Sequence, residues 1–93
     1  MADTQNYIEL TYKGVWLLID YSINVTVNGA PTTFFSIKKD YTTRIPITQP
    51  VMYIQASMAM RTAQTQVYTE PGKNYKLALE YKRFTGALKF TQL

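Results

Sequence analysis

From residue 15 to residue 27 the chain alternates: Val15, Leu17, Ile19, Tyr21, Ile23, Val25 and Val27 are apolar or aromatic, and Asp20, Ser22, Asn24 and Thr26 lie between them. Consecutive odd positions of this kind are the period-two signature of a strand with one buried face. The run exceeds the usual strand length, so a bulge or bend is expected near residues 20–22. Asn28-Gly29 follows at once. Both residues tolerate the positive φ of a type I′ turn, which predicts a hairpin there. Residues 32–38 read as the return strand, Lys39-Asp40 as a turn, and residues 41–47 as another strand. Pro46 inside that strand favours a sheet edge, where its missing N–H leaves no ladder bond unmade.

Further along, Glu70-Pro71-Gly72-Lys73 has Pro and Gly at the central positions of a type II turn. It leads into Tyr75, Leu77, Leu79 and Tyr81, which alternate with Lys76, Ala78, Glu80 and Lys82. Phe84-Thr85-Gly86 turns the chain into a short final strand over residues 87–91, and Ile8, Leu10 and Tyr12 alternate near the start before a turn at Lys13-Gly14. Residues 51–66 fit less cleanly. Met52, Ile54, Ala56, Met58 and Met60 alternate as in a strand, while Ile54 and Met58 also make a helical i, i+4 pair in a segment rich in Met, Ala and Gln. With no cap before the run, strand is preferred and helix stays open. Six to eight short strands, turns every 8–12 residues and no clear helix predict an all-β fold, a small β-sandwich of antiparallel strands. At 93 residues the chain is a single domain, 1–93.

Composition strengthens that reading. Eight Tyr, four Phe and one Trp stand among many Thr, Val and Ile, the residues that suit a pleated, half-buried surface. There is no Cys and no His. The first absence removes disulfides, thiolate nucleophiles and Cys-based metal sites; the second removes the usual general base near neutral pH and the commonest metal ligand. The net charge of +4 is uneven: residues 1–60 balance, and the excess comes from Arg61, Lys73, Lys76, Lys82, Arg83 and Lys89 against Glu70 and Glu80. The opening residues are polar, without the basic and apolar regions of a signal peptide, and the longest apolar run, residues 15–19, is far too short for a transmembrane segment. The expected location is cytoplasmic for the chain as written and extracytoplasmic if a leader has been removed.

The layout of strand, Asn28-Gly29, strand, and a late strand opened by Pro71-Gly72 and Tyr75 resembles PEGA-type and carboxypeptidase-regulatory-like modules, which are small transthyretin-like β-sandwiches. The likeness spans residues 15–82, although the first hairpin lacks the Asp-Gly common in PEGA modules. It implies a non-catalytic accessory or adhesion-like role beside larger envelope proteins.

Candidate chemistry is sparse. Asp20 and Glu80 fall on the less apolar faces of their predicted strands, but a glycosidase-type pair needs two carboxyls about 5–10 Å apart in a cleft, and neither sits in a motif. Acidic residues are scattered singly, with no calcium loop, and each Gly is isolated, with no phosphate-cradling loop. Ser22, Ser36 and Ser57 have no His to act as base. Asn24-Val25-Thr26 matches a glycosylation sequon, a pattern that often arises by chance. No catalytic, cofactor or metal residue is therefore assigned, and no cofactor is expected.

Two surface features remain. Trp16 and Leu18 point opposite to the core series of the long strand, and Phe34 and Tyr53 do likewise on theirs, which marks these four as a candidate protein interface. Lys76, Lys82, Arg83 and Lys89 interleave with aromatic rings and form a candidate polyanion contact, although period two buries the rings and leaves the lysines in water. The expected function is a non-catalytic binding or assembly module whose partner is a protein or another copy of itself. The alternative is a binder of single-stranded nucleic acid or acidic polysaccharide through the basic C-terminal strands, and nucleic acid is the less favoured partner.

Overall fold

The computed structural model describes residues 6–93; the polar opening residues 1–5 lie outside the described residues. Eight strands follow one another: β1 Tyr7–Tyr12, β2 Ser22–Val27, β3 Ala30–Ser36, β4 Tyr41–Pro46, β5 Val51–Met58, β6 Arg61–Tyr68, β7 Tyr75–Lys82 and β8 Ala87–Gln92. They form two packed four-stranded sheets, ordered β4-β1-β7-β8 and β3-β2-β5-β6. The fold is the expected sandwich, with one feature outside the expectation. All pairs are antiparallel except β1 with β7, which run parallel with Ile8 opposite Tyr75 and Tyr12 opposite Leu79.

Alternation builds the core. Ile8 and Leu10 of β1, Ile23 and Val25 of β2, Met52, Ile54, Ala56 and Met58 of β5, and Leu77 and Leu79 of β7 all point between the sheets and are buried. No polar or charged residue is buried among those described. Tyr12 is the core residue with a polar atom to satisfy, and its hydroxyl donates to the Ile37 carbonyl at 2.7 Å. Its ring tilts against Phe35, which in turn stacks on Tyr41 at 4.6 Å, closing one side of the sandwich. Pro46 lies on β4, an edge strand, where the sequence places it.

The turns divide into two kinds. Asn28 (φ 52°) and Gly29 (φ 83°) make the expected primed hairpin turn. Gly72 (φ 82°) takes the left-handed position of the type II turn, closed by Lys73 N–H donating to the Glu70 carbonyl. Residues 51–66 resolve into two strands: β5 and β6 form a hairpin in which Met58 faces Arg61, with Ala59 at φ 51° and Met60 between them. A left-handed alanine is unusual, and nothing in Ala59-Met60 announces a turn.

The largest departure is the run from residue 15 to residue 27. Only Ser22–Val27 is strand; residues 13–21 are irregular. The expected bend falls at the break, and the ladder irregularity lies lower, between Val25 and Thr26. The reason is a shortage of partners. β2 pairs with β3 only as far as Ser22 opposite Ser36, and beyond that Ile37 alone is available. Its carbonyl accepts Val15 N–H at 3.0 Å and its N–H donates to the Tyr21 carbonyl at 2.9 Å. The segment between is pinned to one residue at both ends and bows outward.

Because the chain runs alternately up and down, the connections leaving β1, β3, β5 and β7 gather at one end of the sandwich, here the loop end. Those leaving β2, β4 and β6 gather at the other, the turn end. The molecule measures 47 × 23 × 22 Å. Four strands side by side span only about 15 Å, so the long axis follows the strands and separates the two ends.

Candidate functional site

Gly14 sets the base of the loop end. A Cβ on it would lie 2.6 Å from the Lys38 carbonyl carbon and 2.8 Å from that of Lys39, so only glycine lets the two backbones touch. Gly14 N–H also donates to Asp40 Oδ1 at 2.8 Å. From this base the chain climbs through Val15 and Leu17, which pack on the core, and throws Trp16, Leu18, Ile19 and Tyr21 into solvent. Trp16 is 69% exposed and Leu18 84%. Asp20 is held back towards the sheet by the Ser36 hydroxyl, which donates to it at 2.6 Å.

Two hairpin tips rise beside this finger. Met60, 97% exposed, crowns the β5–β6 turn, and Phe84, 98% exposed, crowns the β7–β8 turn. The latter is closed by Thr85 and Gly86 N–H groups donating to the Lys82 carbonyl. An open groove of about 600 Å³ joins Trp16 to Phe84 past Tyr81 and Arg83, and a second of about 460 Å³ joins Tyr21, Met60 and Arg61 past the same Tyr81. Three connections thus present apolar side chains around a shared, half-buried tyrosine. Lys13, Lys38, Lys39, Arg61, Lys82 and Arg83 are all exposed in or beside the same connections. The carboxylates there, Asp20 and Asp40, each accept a hydrogen bond from the scaffold, and Glu80 lies 4.0 Å from Lys82.

The four residues of the candidate protein interface separate into two surfaces. Trp16 and Leu18 stand at the loop end, whereas Phe34 and Tyr53 are exposed on the outer face of the β3-β2-β5-β6 sheet. That face is uncharged: Asn24, Thr26, Gln55, Ser57, Gln64 and Gln66 supply amides and hydroxyls, and a trough of about 460 Å³ runs beside Tyr53. Of the candidate polyanion residues, Lys76, Lys82 and Lys89 share the outer face of the other sheet, and Arg83 belongs to the loop end. Carboxylates interrupt that face, with Glu9 in register beside Lys76 and Glu80 beside Lys89.

The structure does not bring Asp20 and Glu80 together as a pair: the first is tied to Ser36 and the second lies on the outer face of the other sheet. No group of three His, Cys, Asp or Glu residues that could hold a metal ion occurs among the described residues. Among the described residues the one perturbed titratable group is Tyr12, whose phenol is pushed up to about 12, first by burial and then by Tyr81 and Asp40 nearby. It serves the fold rather than a cleft. Sequence reasoning put Ile19, Tyr21 and Met60 on buried strand faces, counted Arg61 only in the charge excess, and read Phe84 as a turn residue and as one of the aromatic rings interleaved with cations. A signal was available only for Phe84, a large apolar residue in a legible turn, where a side chain has no inward direction to take.

No family model matches the chain, and neither a curated protein nor a solved structure matches it.

Proposed function

We propose that this protein is a non-catalytic binding or assembly module that docks through its loop end. The observation that carries the reading is the grouping of Trp16, Leu18, Ile19, Tyr21, Met60 and Phe84, all exposed, on connections at one end of the sandwich. Large apolar side chains left in water in a cluster mark contact surfaces, because burying each against a partner contributes roughly 1.5–3 kcal/mol. A triple variant, Leu18→Ser, Met60→Ser and Phe84→Ser, tests this. It should melt within a few degrees of the parent and lose association with itself or with a surface offered to it. Loss of folding would make these side chains part of the core and defeat the reading. A second reading, an anionic polymer lying along β7 and β8, draws on Lys76, Lys82 and Lys89 sharing one face. It ranks lower because Glu9 and Glu80 stand among those lysines.

A further inference from the structure

We infer that the surface docked by the loop end is an anionic membrane, with the apolar tips entering the interfacial layer and the surrounding cations meeting lipid phosphates. This rests on the reading of the loop end as the docking surface and names its partner.

Three observations favour a bilayer over a folded partner. The first is shape. The exposed side chains do not form a flat patch; they stand on three separate connections, with Leu18, Met60 and Phe84 each 84% exposed or more and open grooves between them. A protein partner would need a matching pit for each tip. The disordered boundary between headgroups and acyl chains accepts separate tips without one. The second is residue type. Trp16 and Tyr21 are amphipathic rings of the kind that concentrate at membrane–water interfaces, while Leu18, Ile19, Met60 and Phe84 are apolar enough to go deeper.

The third is charge. Six cations, Lys13, Lys38, Lys39, Arg61, Lys82 and Arg83, accompany these tips and outnumber the local carboxylates Asp20, Asp40 and Glu80, the last of which lies 4.0 Å from Lys82. Basic residues beside a membrane-seated element draw it to anionic lipid within a Debye length of the surface. Long Lys and Arg side chains can also reach up to phosphates while their stems lie along apolar surface. The turn end offers less: its exposed large side chains, Tyr68 and Leu93, close β6 and follow β8 rather than crowning a connection, and the charges of its connections, Glu70 and Lys73, pair at 3.3 Å. The attachment proposed is to a membrane surface, through side chains on connections at one end of the sandwich.

The chain carries its own reporter, because Trp16 is its only tryptophan and stands on the longest of these connections. The full chain is titrated with phosphatidylcholine vesicles, with and without phosphatidylglycerol at about a third of the lipid, and followed by Trp16 emission and co-sedimentation. The expected result is a blue shift and sedimentation with the anionic vesicles, at least tenfold weaker with the neutral ones. Phe84→Ser with Leu18→Ser should weaken binding at least tenfold while keeping the β spectrum, and so should Arg61→Glu with Arg83→Glu.

Three results would overturn the inference. One is no binding to anionic vesicles by the folded protein. Another is binding that salt abolishes but that shifts no Trp16 emission and ignores the serine changes, which means charge contact alone. The last is equal binding to both vesicle types. If vesicles fail while the parent self-associates and the triple serine variant does not, the docking reading stands with a second copy as its partner. If vesicles fail and the serine variant fails to fold, both readings fall.

Discussion

The two ends of this sandwich are built from the same strands and treated in opposite ways. At the turn end, Asn28-Gly29 and Pro71-Gly72 supply the backbone conformations that tight reversals require, Glu70 and Lys73 form one ion pair, and the exposed large side chains, Tyr68 and Leu93, lie outside the connections. At the loop end an alanine adopts φ 51°, a connection of nine irregular residues replaces a turn, and six large apolar side chains face water. Both ends rest on one core, so the contrast is not between a folded and an unfolded part. Local rules are obeyed where only the fold is served and broken at the other end, and such departures are where function concentrates.

The comparison would break most completely if the ends were separate units. Ile23 is fully buried in the core that both ends share. Ile23→Ala should cost about 2–5 kcal/mol and lower hydrogen-exchange protection at both ends together; protection lost at the loop end alone would show two units. Next in size is a pair of glycines. Gly14→Ala should cost about 3 kcal/mol, because the atoms it meets are backbone and cannot swing aside. Gly72→Ala at the turn end meets nothing within 4 Å and should cost only the left-handed strain, about 1 kcal/mol. Equal costs in urea unfolding would remove the claim that the loop end is clamped at its base.

A third test uses alkaline pH. Tyr12 holds its proton to about 12, above the ordinary 10.0, so the folded protein keeps a proton that the unfolded chain gives up. Stability from this group is complete below about pH 10 and falls as pH rises towards 12, by an amount on the order of 2 kcal/mol. In a Tyr12→Phe variant that decline should flatten, with a cost of about 1 kcal/mol at neutral pH from the lost bond to Ile37. Smallest of all, Lys73→Ala at the turn end should shift stability by less than about 0.5 kcal/mol, since both partners of its ion pair are exposed. It should leave vesicle binding unchanged; a clear loss would extend the docking surface to the wrong end.

Much of the fold was legible because burial on one face imposes period two, and β1, β5 and β7 show it plainly. Turn chemistry located Asn28-Gly29 and Pro71-Gly72, and Pro46 marked an edge. Residues 15–21 misled because alternation describes side chains and says nothing of hydrogen-bond partners. Val15 and Leu17 do turn inward, but beyond Ser36 only Ile37 remains to pair with, so Ile19 and Tyr21 are left outside. The hairpin at Ala59-Met60 was hidden because neither residue belongs to the usual turn set. Two of the six apolar residues of the candidate site, Trp16 and Leu18, were visible. The rest needed the topology that brings Met60, Arg61 and Phe84 beside them from distant parts of the chain.

That topology also dictates an order of events during synthesis. β1 is the first strand of this sandwich to be made, yet it lies inside its sheet between β4 and β7, and Ile8 finds Tyr75 only after 67 residues have been added. The hairpins β2–β3 and β5–β6, which with the β2–β5 pairing make up the other sheet, are complete well before that. A nascent chain therefore holds a nearly finished sheet against a first strand with one bare edge, and unpaired edges of that kind recruit strands from other chains. Closure waits for β7, a long-range pairing of the kind that slows folding. A chain stopped before residue 75 would keep its hairpins and lack the strand that seals the core.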